Sequence, residues 1–381
     1  MGNYLRLLKL PENSFFLFGA RGSGKSTWLR QHLSDGYWID LLEEGKYQEF
    51  LARPQLFAEE IAGVDKHRWI IIDEAQRLPH LLNEVHRLIE RDGRKFALCG
   101  SSARKLRKAG VNLLGGRATR RLMFPLLPQE LGKDFDLLTA MQVGTLPLIV
   151  KSSKPVEKLK DYVQMYLREE IQAEAIVRNL PAFARFLPVA ALFHGEVLNI
   201  SSLARGAGAH RNTIAGYIEV LEDTLLAFRL PAYQPKLKVK EQQHPKLYFV
   251  DSGIVRSIKR QLGPMTIEER GSLFEGWVCN LLRAMINYRD LADDMYYWAP
   301  ADSKTEVDFL LVKGDLKVAI EAKSSEYLTK DDYKGLRAVT DLKGLKRRII
   351  VYSGSTKRVT EDGIEVLPVN EFIARLDAGL F

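Results

Sequence analysis

The sequence predicts a multidomain α/β protein, with a parallel sheet at its N-terminal end and a second α/β domain at its C-terminal end. The chain has 381 residues, which is more than one ordinary hydrophobic core accommodates. Up to about residue 150, short apolar runs alternate with helical segments, as in a parallel sheet with helices on both faces. From about residue 263, a long helical segment precedes a new group of strands. We therefore predict four domains, which span residues 1–150, 151–195, 196–262 and 263–381.

A glycine-rich segment follows the first predicted strand, Phe15–Phe18, and precedes a helical segment, Ser26–Leu33. It fits the P-loop (Walker A) pattern G-x-x-x-x-G-K-[S/T] in full. The backbone N–H groups of such a loop surround phosphate oxygens, and the helix N-terminus adds a positive dipole. We expect Lys25 to reach the β- and γ-phosphates of a nucleotide and Ser26 to hold Mg²⁺. The nucleotide-binding residues predicted here are Gly19, Ala20, Arg21, Gly22, Ser23, Gly24, Lys25, Ser26 and Thr27.

The apolar run Trp69–Ile72 ends in two carboxylates, those of Asp73 and Glu74. A continuous apolar run indicates a strand that is buried on both faces, and its carboxyl end lies where open α/β sheets bind ligands. Asp73 fits a Walker B residue that orients Mg²⁺ and its water, and Glu74 fits the base that positions the attacking water. Without the P-loop, an acidic helix cap after a strand would be a fair alternative. Further strands of this P-loop NTPase sheet are predicted at Tyr37–Ile39, Phe96–Cys99 and Arg121–Phe124.

The middle of the chain has the pattern of a helical lid followed by a winged helix. Helical spacing extends from Leu159 to Phe193. Two short helices then flank a glycine-containing turn at Gly206–Gly208, and the strand-like runs Leu225–Leu230 and Lys246–Val250 follow. Helix-turn-helix followed by a basic hairpin is the outline of a winged helix. A helical hairpin that packs domains together is the alternative.

The basic residues of the chain are clustered, although the net charge is a modest +8. Seven Lys or Arg and no acidic residue lie between Ser101 and Arg121, and the second cluster comprises Lys236, Lys238 and Lys240. Such clusters suit DNA as a partner, but they also occur in proteins that bind no nucleic acid.

The sequence also has features that bear on its location. The N-terminus lacks a signal-like segment, and no apolar run is long enough to span a bilayer, so we expect a cytoplasmic protein without a membrane partner. Cys99 and Cys279 are far apart in sequence and lack metal-ligand spacing, which favours two reduced, buried thiols.

A second group of candidate site residues lies in the C-terminal domain. Glu275 falls in the predicted helix Gly271–Ile286, and strands are predicted at Met295–Trp298, Thr305–Val312, Leu316–Lys323 and Arg348–Tyr352. Glu321 and Lys323 alternate along one strand and therefore share a face. A short turn at Gly314-Asp315 makes a hairpin, which brings Asp308 towards Glu321.

Carboxylates in such a group could hold Mg²⁺, and a lysine beside them could stabilise a hydroxide or the charge on a phosphate. An ion pair at a strand end is the alternative. The pattern resembles the PD-(D/E)xK nuclease superfamily, which implies a restriction-endonuclease-like fold for residues 263–381. The resemblance makes Asp308, Glu321 and Lys323 catalytic and makes Glu275, Asp308 and Glu321 metal ligands. Val307 stands where the superfamily pattern has proline. Such domains can also be retained as scaffolds.

The order of segments along the whole chain is similar to that of a large family of prokaryotic ATPases. These have an AAA-type domain, a helical and winged-helix middle, and a C-terminal domain of nuclease-like fold. The matching segments are Gly19–Thr27, Ile70–Gln76, Leu98–Arg104, Gly116–Ala118, Tyr248–Gly253 and Glu306–Lys323.

The resemblance implies ATP and Mg²⁺ as cofactors and adds three candidate residues. Ser101 or Ser102 would be the polar sensor of the γ-phosphate, and Arg178 would be a second sensor. Arg117 would be an arginine finger, usually on a neighbour's nucleotide, which requires a homo-oligomer. A simple surface arginine is the alternative for Arg117.

Three functions fit the sequence. The first is an ATP-hydrolysing enzyme that binds DNA and cleaves it with Mg²⁺ at the C-terminal site. The second is an ATP-driven switch whose nuclease-like domain is an inactive platform. The third is a DNA-binding regulator, which would contact specific sequences through His210, Arg211 and Asn212.

Overall fold

The computed structural model describes residues 4–102, 114–167, 171, 177, 179–234, 244–300 and 305–381. The chain forms two compact units. The N-terminal unit comprises Leu5–Phe124 and Asp223–Leu226, and the C-terminal unit consists mainly of Pro125–Glu222 and Ala227–Phe381. The segment from residue 125 to 150, which we assigned to the first domain, thus packs within the C-terminal unit. The finer boundaries at residues 195 and 262 stay predictions.

The N-terminal unit is built on one parallel sheet, which confirms the predicted fold of this region. Its strands are β1 (Phe15–Phe18), β2 (Tyr37–Asp40), β3 (Ile70–Asp73), β4 (Phe96–Gly100) and β5 (Thr119–Leu122). They are arranged in the order β2-β3-β4-β1-β5. Strand β4 therefore lies between β1, which precedes the P-loop, and β3, which ends in Asp73.

The helices of the N-terminal unit cover both faces of this sheet. They are α1 (Lys25–His32), α2 (Glu44–Ala52), α3 (Gln55–Ala62) and α4 (Leu81–Asp92). Trp28 of α1 packs edge-on against Phe15, with ring centroids 6.3 Å apart. Phe50 of α2 and Phe57 of α3 belong to the core cluster that contains Phe16. Because Phe15 and Phe16 point to opposite faces of β1, α1 lies on one side of the sheet and α2 and α3 lie on the other.

The predicted position of β5 was wrong by two residues. We expected the strand at Arg121–Phe124, and the structure places it at Thr119–Leu122, paired with β1 from Thr119 opposite Phe15. This is an edge strand with exposed charged side chains, which hide the apolar signal of a strand. Met123 and Phe124 are buried beyond the end of the strand.

The C-terminal unit contains short helices, one long helix and two sheets. The helices are α5 (Pro128–Leu131), α6 (Leu137–Val143), α7 (Pro147–Val150), α8 (Pro155–Met165), α9 (Leu180–Ala191), α10 (Ile200–Ala207), α11 (Arg211–Asp223), α12 (Ser252–Ile258), α13 (Ile267–Arg289), α14 (Lys334–Ala338) and α15 (Val369–Ala378). The two helices predicted around the glycine-containing turn are α10 and α11, so this prediction is confirmed. No helix among the described ranges is both long enough and apolar enough to cross a membrane.

The smaller sheet of the C-terminal unit consists of β6 (Glu196–Val197), β7 (Ala227–Leu230) and β8 (Lys246–Phe249). β8 lies in the middle and pairs antiparallel with both neighbours. The predicted hairpin of β7 and β8 is thus present, and β6 is a third strand that we did not predict. Two strand residues are too few to show alternation in a sequence.

The larger sheet has six strands in the order β13-β14-β12-β11-β10-β9. Their bounds are β9 (Asp294–Trp298), β10 (Val307–Lys313), β11 (Leu316–Lys323), β12 (Leu345–Tyr352), β13 (Arg358–Val359) and β14 (Glu365–Pro368). β10 and β11 form the predicted hairpin, with Lys313 opposite Leu316. β13 and β14 were not predicted. Helix α13 begins at a capping box of Thr266 and Glu269, and Leu273, Phe274 and Leu282 are among its buried residues.

Candidate functional site

The P-loop connects β1 to α1 and depends on its glycines. Gly22 and Gly24 have φ angles of 78° and 93°, in the left-handed region that favours glycine. A Cβ atom at Gly19 would lie 2.5 Å from the carbonyl oxygen of Met123. The loop therefore has its conformation because side chains are absent at these three positions.

The polar side chains of the P-loop are suited to a phosphate group. Lys25 is buried, and its Nζ donates to the carbonyl oxygens of Gly19 at 2.8 Å and Ala20 at 3.4 Å. The Oγ of Ser23 is buried and has no hydrogen-bond partner among the described residues. A buried hydroxyl without a partner is rare and calls for a ligand or water. An ammonium that donates to neutral carbonyls and a hydroxyl without a partner in the described part of the chain both fit an anion bound in this loop.

Asp73 connects β3 to the P-loop. Its Oδ2 accepts a hydrogen bond from Ser26 Oγ at 2.8 Å, and its Oδ1 accepts from Cys99 Sγ at 2.7 Å and from the Glu74 N–H at 3.1 Å. Burial and the charge of Asp73 raise the pKa of the Cys99 thiol, which keeps it protonated and able to donate. A hydroxyl and a carboxylate oxygen in contact are hard oxygen ligands, so Ser26 and Asp73 fit Mg²⁺.

Glu74 follows with a strained backbone. Its φ of 55° and ψ of 43° are left-handed, which costs about 1–3 kcal/mol in a residue other than glycine. Its carboxylate accepts a hydrogen bond from Gln76 Nε2, and the other amide atom of Gln76, Oε1, is buried without a partner among the described residues. A Cβ atom at Gly100 would lie 2.1 Å from that Oε1. Gln76 and Gly100 thus position the predicted base, a role that we did not predict.

The predicted sensor residues follow β4, the strand between β1 and β3. Ser101 and Ser102 are both buried. Because the carboxyl ends of parallel strands meet at one edge of a sheet, these residues belong to the same edge as the P-loop and Asp73. The role of Ser101 or Ser102 as a sensor of the γ-phosphate stays a prediction.

Arg117 lies at the opposite edge of the sheet. It precedes β5, whose first residue Thr119 pairs with the first residue of β1, whereas the P-loop leaves from the end of β1. Its side chain forms an ion pair with Glu90 of α4 and donates to the carbonyl oxygen of Gly115 at 3.1 Å. Arg117 therefore lies at the end of the sheet away from the P-loop of its own unit, and an arginine-finger role, which stays a prediction, would require a neighbouring copy of the chain.

Several predicted residues lie outside the described residues. They are Arg178, Lys236, Lys238, Lys240 and the basic residues between positions 103 and 113.

The β10–β11 hairpin brings Asp308, Glu321 and Lys323 together, as predicted. Lys323 Nζ donates to Glu321 Oε1 at 2.7 Å, and the Asp308 N–H donates to Glu321 Oε2 at 3.4 Å. Asp308 Oδ2 accepts from the Ala322 N–H at 2.9 Å. These groups line an open cavity of about 460 Å³, which Glu275 and Glu306 also border.

A lysine that we did not predict lies among these carboxylates. Lys246 of β8 is 2% exposed. Its Nζ lies 3.0 Å from Glu275 Oε1, 3.1 Å from Glu306 Oε1 and 3.8 Å from Asp308 Oδ1. Tyr248, two residues along the same strand, donates its hydroxyl to Glu275 Oε1 at 2.5 Å. In the sequence, Lys246 and Tyr248 alternate with the apolar residues Leu247 and Phe249. This alternation is the signal that could have identified them as candidate site residues.

The protonation of this cluster follows from burial and mutual charge. Burial raises the pKa of Glu275 to about 7 and that of Glu321 to about 8, and the charge of Asp308 acts in the same direction on both. Burial opposes the charge of Lys246, but the carboxylates of Glu275, Asp308 and Glu306 outweigh it and hold its pKa above the ordinary value. The cluster thus keeps its ammonium charged and holds protons on part of its carboxyl groups near neutral pH.

In this arrangement, the cluster of charged side chains in and beside the cavity does not fit a divalent cation. Its members are Lys246, Glu275, Glu306, Asp308, Glu321 and Lys323. An ammonium already occupies the space that Glu275, Glu306 and Asp308 share. Within the described ranges, no group of three or more His, Cys, Asp and Glu side chains is arranged to hold a metal ion. Glu275, predicted as a metal ligand, is instead bound by Lys246 and Tyr248.

Three protein families match successive parts of the chain. Residues 11–132 match an AAA domain family (AAA_14), residues 134–264 match a domain of unknown function (DUF8612), and residues 270–372 match another (DUF4143). The first match supports an AAA-type, nucleotide-hydrolysing ATPase for the region that contains the P-loop, Asp73 and Glu74. It also implies use of a nucleotide, usually with Mg²⁺.

Relatives and solved structures are similar to the chain at low identity. An uncharacterized protein of Mycobacterium tuberculosis is 23% identical over 331 residues, covering 85% of this chain and 72% of that protein. An uncharacterized protein of Haemophilus influenzae is 22% identical over 414 residues, covering 97% of both. The Aeropyrum pernix ORC1 protein in complex with DNA aligns at a TM-score of 0.29 and 11% identity, over 66% of this chain and 87% of that one. Protein VC1899 from Vibrio cholerae aligns at a TM-score of 0.24 and 12% identity, over 96% of both chains.

Proposed function

We propose that the N-terminal unit binds ATP and hydrolyses it at the P-loop. The observation that carries this proposal is the 2.8 Å hydrogen bond between Ser26 and Asp73, because it joins the two motifs that must share one Mg²⁺. The buried Lys25 and the unused hydroxyl of Ser23 support an anion in the same loop. The match of residues 11–132 to an AAA domain agrees with this chemistry.

Each residue of this site has a separate role in the proposed reaction. The backbone N–H groups of the P-loop and Lys25 bind the phosphates, and Ser26 and Asp73 hold Mg²⁺, which would neutralise charge on the β- and γ-phosphates. Glu74 orients the attacking water and accepts its proton. Gln76 fixes the Glu74 carboxylate, and Ser101 contacts the γ-phosphate.

We expect Lys25→Ala to remove tight ATP binding. A charge-assisted hydrogen bond contributes about 1.5–3 kcal/mol, which corresponds to a loss of affinity of about 10- to 100-fold. Titration with a fluorescent ATP analogue measures this loss, and Lys66→Ala, at an exposed lysine of the same unit, is the matched control. Wild-type affinity in Lys25→Ala would refute the assignment of the nucleotide to this loop.

We also propose that α10 and α11, the two helices of the predicted winged helix, bind DNA. The start of α11 exposes His210, Arg211 and Asn212. Behind them, Ile214 and Ile218 are buried, so the helix has one face in the core and one available to a partner. The β7–β8 hairpin that follows completes the outline of a winged helix, which stays a prediction.

We expect the double variant Arg211→Ala/Asn212→Ala to bind duplex DNA more weakly than the wild type. Loss of one phosphate contact should reduce the slope of log K against log salt by about 0.9. Fluorescence anisotropy with two unrelated duplexes, at several salt concentrations, measures both quantities. Arg358→Ala, at an exposed arginine of β13, is the control. An unchanged affinity and slope would exclude α11 as the interface, and equal affinity for the two duplexes would exclude a sequence-specific regulator.

DNA cleavage by Asp308, Glu321 and Lys323 stays a prediction from the sequence. The position of Lys246 favours the second function named above, in which ATP drives a switch and the nuclease-like domain is a platform. That domain would then contribute its surface and its packing, not a metal-dependent reaction.

A further inference from the structure

The position of Lys246 is fixed by the sheet to which it belongs. β8 is the central strand of its sheet, and Lys246 pairs with Val197 of β6 and with Leu230 of β7. Lys246 and Tyr248 project to the same face because they are two residues apart on a strand. Both reach Glu275 of α13. The Lys246 ammonium is thus positioned by a strand that pairs with a neighbour on each side.

The carboxylates around Lys246 come from separate elements. Glu275 belongs to α13, Glu306 directly precedes β10, and Asp308 lies in β10. All three lie within 3.8 Å of one nitrogen. Carboxylate oxygens are the ligands that divalent cations such as Mg²⁺ prefer. Here the positive charge of Lys246 already lies between these three carboxylates.

Three further oxygens of the cluster, on Glu321 and Asp308, are also engaged. Glu321 Oε1 accepts from Lys323 Nζ, Glu321 Oε2 accepts from the Asp308 N–H, and Asp308 Oδ2 accepts from the Ala322 N–H. A divalent ion would have to displace these bonds and also approach the ammonium of Lys246. Repulsion between like charges in a buried site makes that approach unfavourable.

We propose that the ammonium of Lys246 is the resident cation of the nuclease-like site and excludes a divalent metal from Glu275, Glu306 and Asp308. The Lys246 side chain supplies the positive charge that a metal would otherwise supply. Its ion pairs also link β8 to α13 and to β10. A divalent metal therefore cannot bind these three carboxylates as long as β8 holds Lys246 between them. This inference does not depend on the proposed ATPase function, because it concerns the protein without nucleotide.

The test is Mn²⁺ binding to the full-length, nucleotide-free chain, followed by electron paramagnetic resonance of free Mn²⁺. We expect the wild type to bind no Mn²⁺ that depends on Asp308, so that wild type and Asp308→Asn give the same titration. Lys246→Met, which keeps the apolar stem and removes the charge, should gain one Mn²⁺ site that depends on Asp308. Lys246→Met/Asp308→Asn should lose that site again.

Lys317→Met is the matched control, because Lys317 is a buried lysine of the same unit that donates to the carbonyl oxygens of Asp315 and Lys343. It should gain no site. Circular dichroism checks the fold of each variant, and Lys246→Gln, which removes the charge but keeps a hydrogen-bond donor and all three carboxylates, replaces Lys246→Met if that variant does not fold. Wild-type Mn²⁺ binding that Asp308→Asn abolishes would overturn the proposal. A folded Lys246 variant that gains no Asp308-dependent site would also overturn it.

Discussion

Replacement of Glu74 by Gln is expected to lower kcat for ATP hydrolysis by about 10²- to 10⁴-fold, the usual contribution of a positioned general base. ATP affinity should stay unchanged, because the phosphates and Mg²⁺ are assigned to Lys25, Ser26 and Asp73. An amide has nearly the shape of the carboxylate but cannot accept a proton from the attacking water. The strained backbone at position 74 carries the same cost with either side chain. The variant therefore separates binding from hydrolysis.

Steady-state hydrolysis and binding of a fluorescent ATP analogue, measured on the same preparations, check this expectation. Glu59→Gln is the matched control, since Glu59 is an exposed acid on α3. Hydrolysis at the wild-type rate in Glu74→Gln would show that Glu74 is not the base. A large loss of ATP affinity in Glu74→Gln would instead show that its carboxylate supports the bound nucleotide.

The P-loop and the strand that ends in Asp73 could be predicted because most of their signal is local. Gly19 to Thr27 determine the loop within nine consecutive residues, and Asp73 and Glu74 end a single apolar strand. The contact between Gln76 and Gly100 could not be predicted in this way. This contact requires that β3 and β4 be neighbours in the sheet. It also requires that the side chain of Gln76, which follows β3, pack on the backbone of Gly100 at the end of β4.

The same distinction holds in the C-terminal unit. Asp308, Glu321 and Lys323 were grouped correctly because a tight hairpin joins their strands. Lys246 was missed because its three carboxylate partners lie 29, 60 and 62 residues further along the chain, on α13, before β10 and in β10. Sequence patterning placed Lys246 correctly on a strand. The sequence pattern could not show which side chains this strand faces. The carboxylates of Glu275, Glu306 and Asp308 face it, and their contact with Lys246 changes the interpretation of the whole cluster.

Replacement of Arg256 by Met is expected to lower the free energy of unfolding of the C-terminal unit by about 3–5 kcal/mol, the cost of breaking a buried ion pair. The Arg256 and Glu269 side chains are 1% and 4% exposed. Arg256 donates to both carboxylate oxygens of Glu269 at 3.1 Å, and to the carbonyl oxygens of Gln142 at 3.0 Å and Gly263 at 2.8 Å. The variant leaves the buried carboxylate of Glu269 and two backbone carbonyls without these donors.

The reason for so large an effect is the charge left on Glu269. Although burial opposes ionisation, the hydrogen bonds from Arg256 hold the pKa of Glu269 below its ordinary value. Glu269 also caps α13, accepting from the Thr266 N–H at 2.9 Å. Loss of Arg256 should therefore loosen the start of α13, the helix that carries Glu275. Denaturant unfolding, combined with hydrogen exchange of the amides of α12 and α13, measures this effect.

Two comparisons distinguish the buried charge from simple loss of packing. Arg229→Met breaks a partly exposed pair with Glu222 in the same unit and should cost no more than about 1 kcal/mol. Arg256→Met/Glu269→Met removes both charges, so it should be more stable than Arg256→Met alone. The Glu269→Met single variant completes the double-mutant cycle, which gives the coupling energy. If Arg256→Met unfolds at the wild-type denaturant concentration, the ion pair does not stabilise this unit. If the double variant is no more stable than the single one, the loss comes from packing and from the carbonyls of Gln142 and Gly263, and not from the stranded carboxylate.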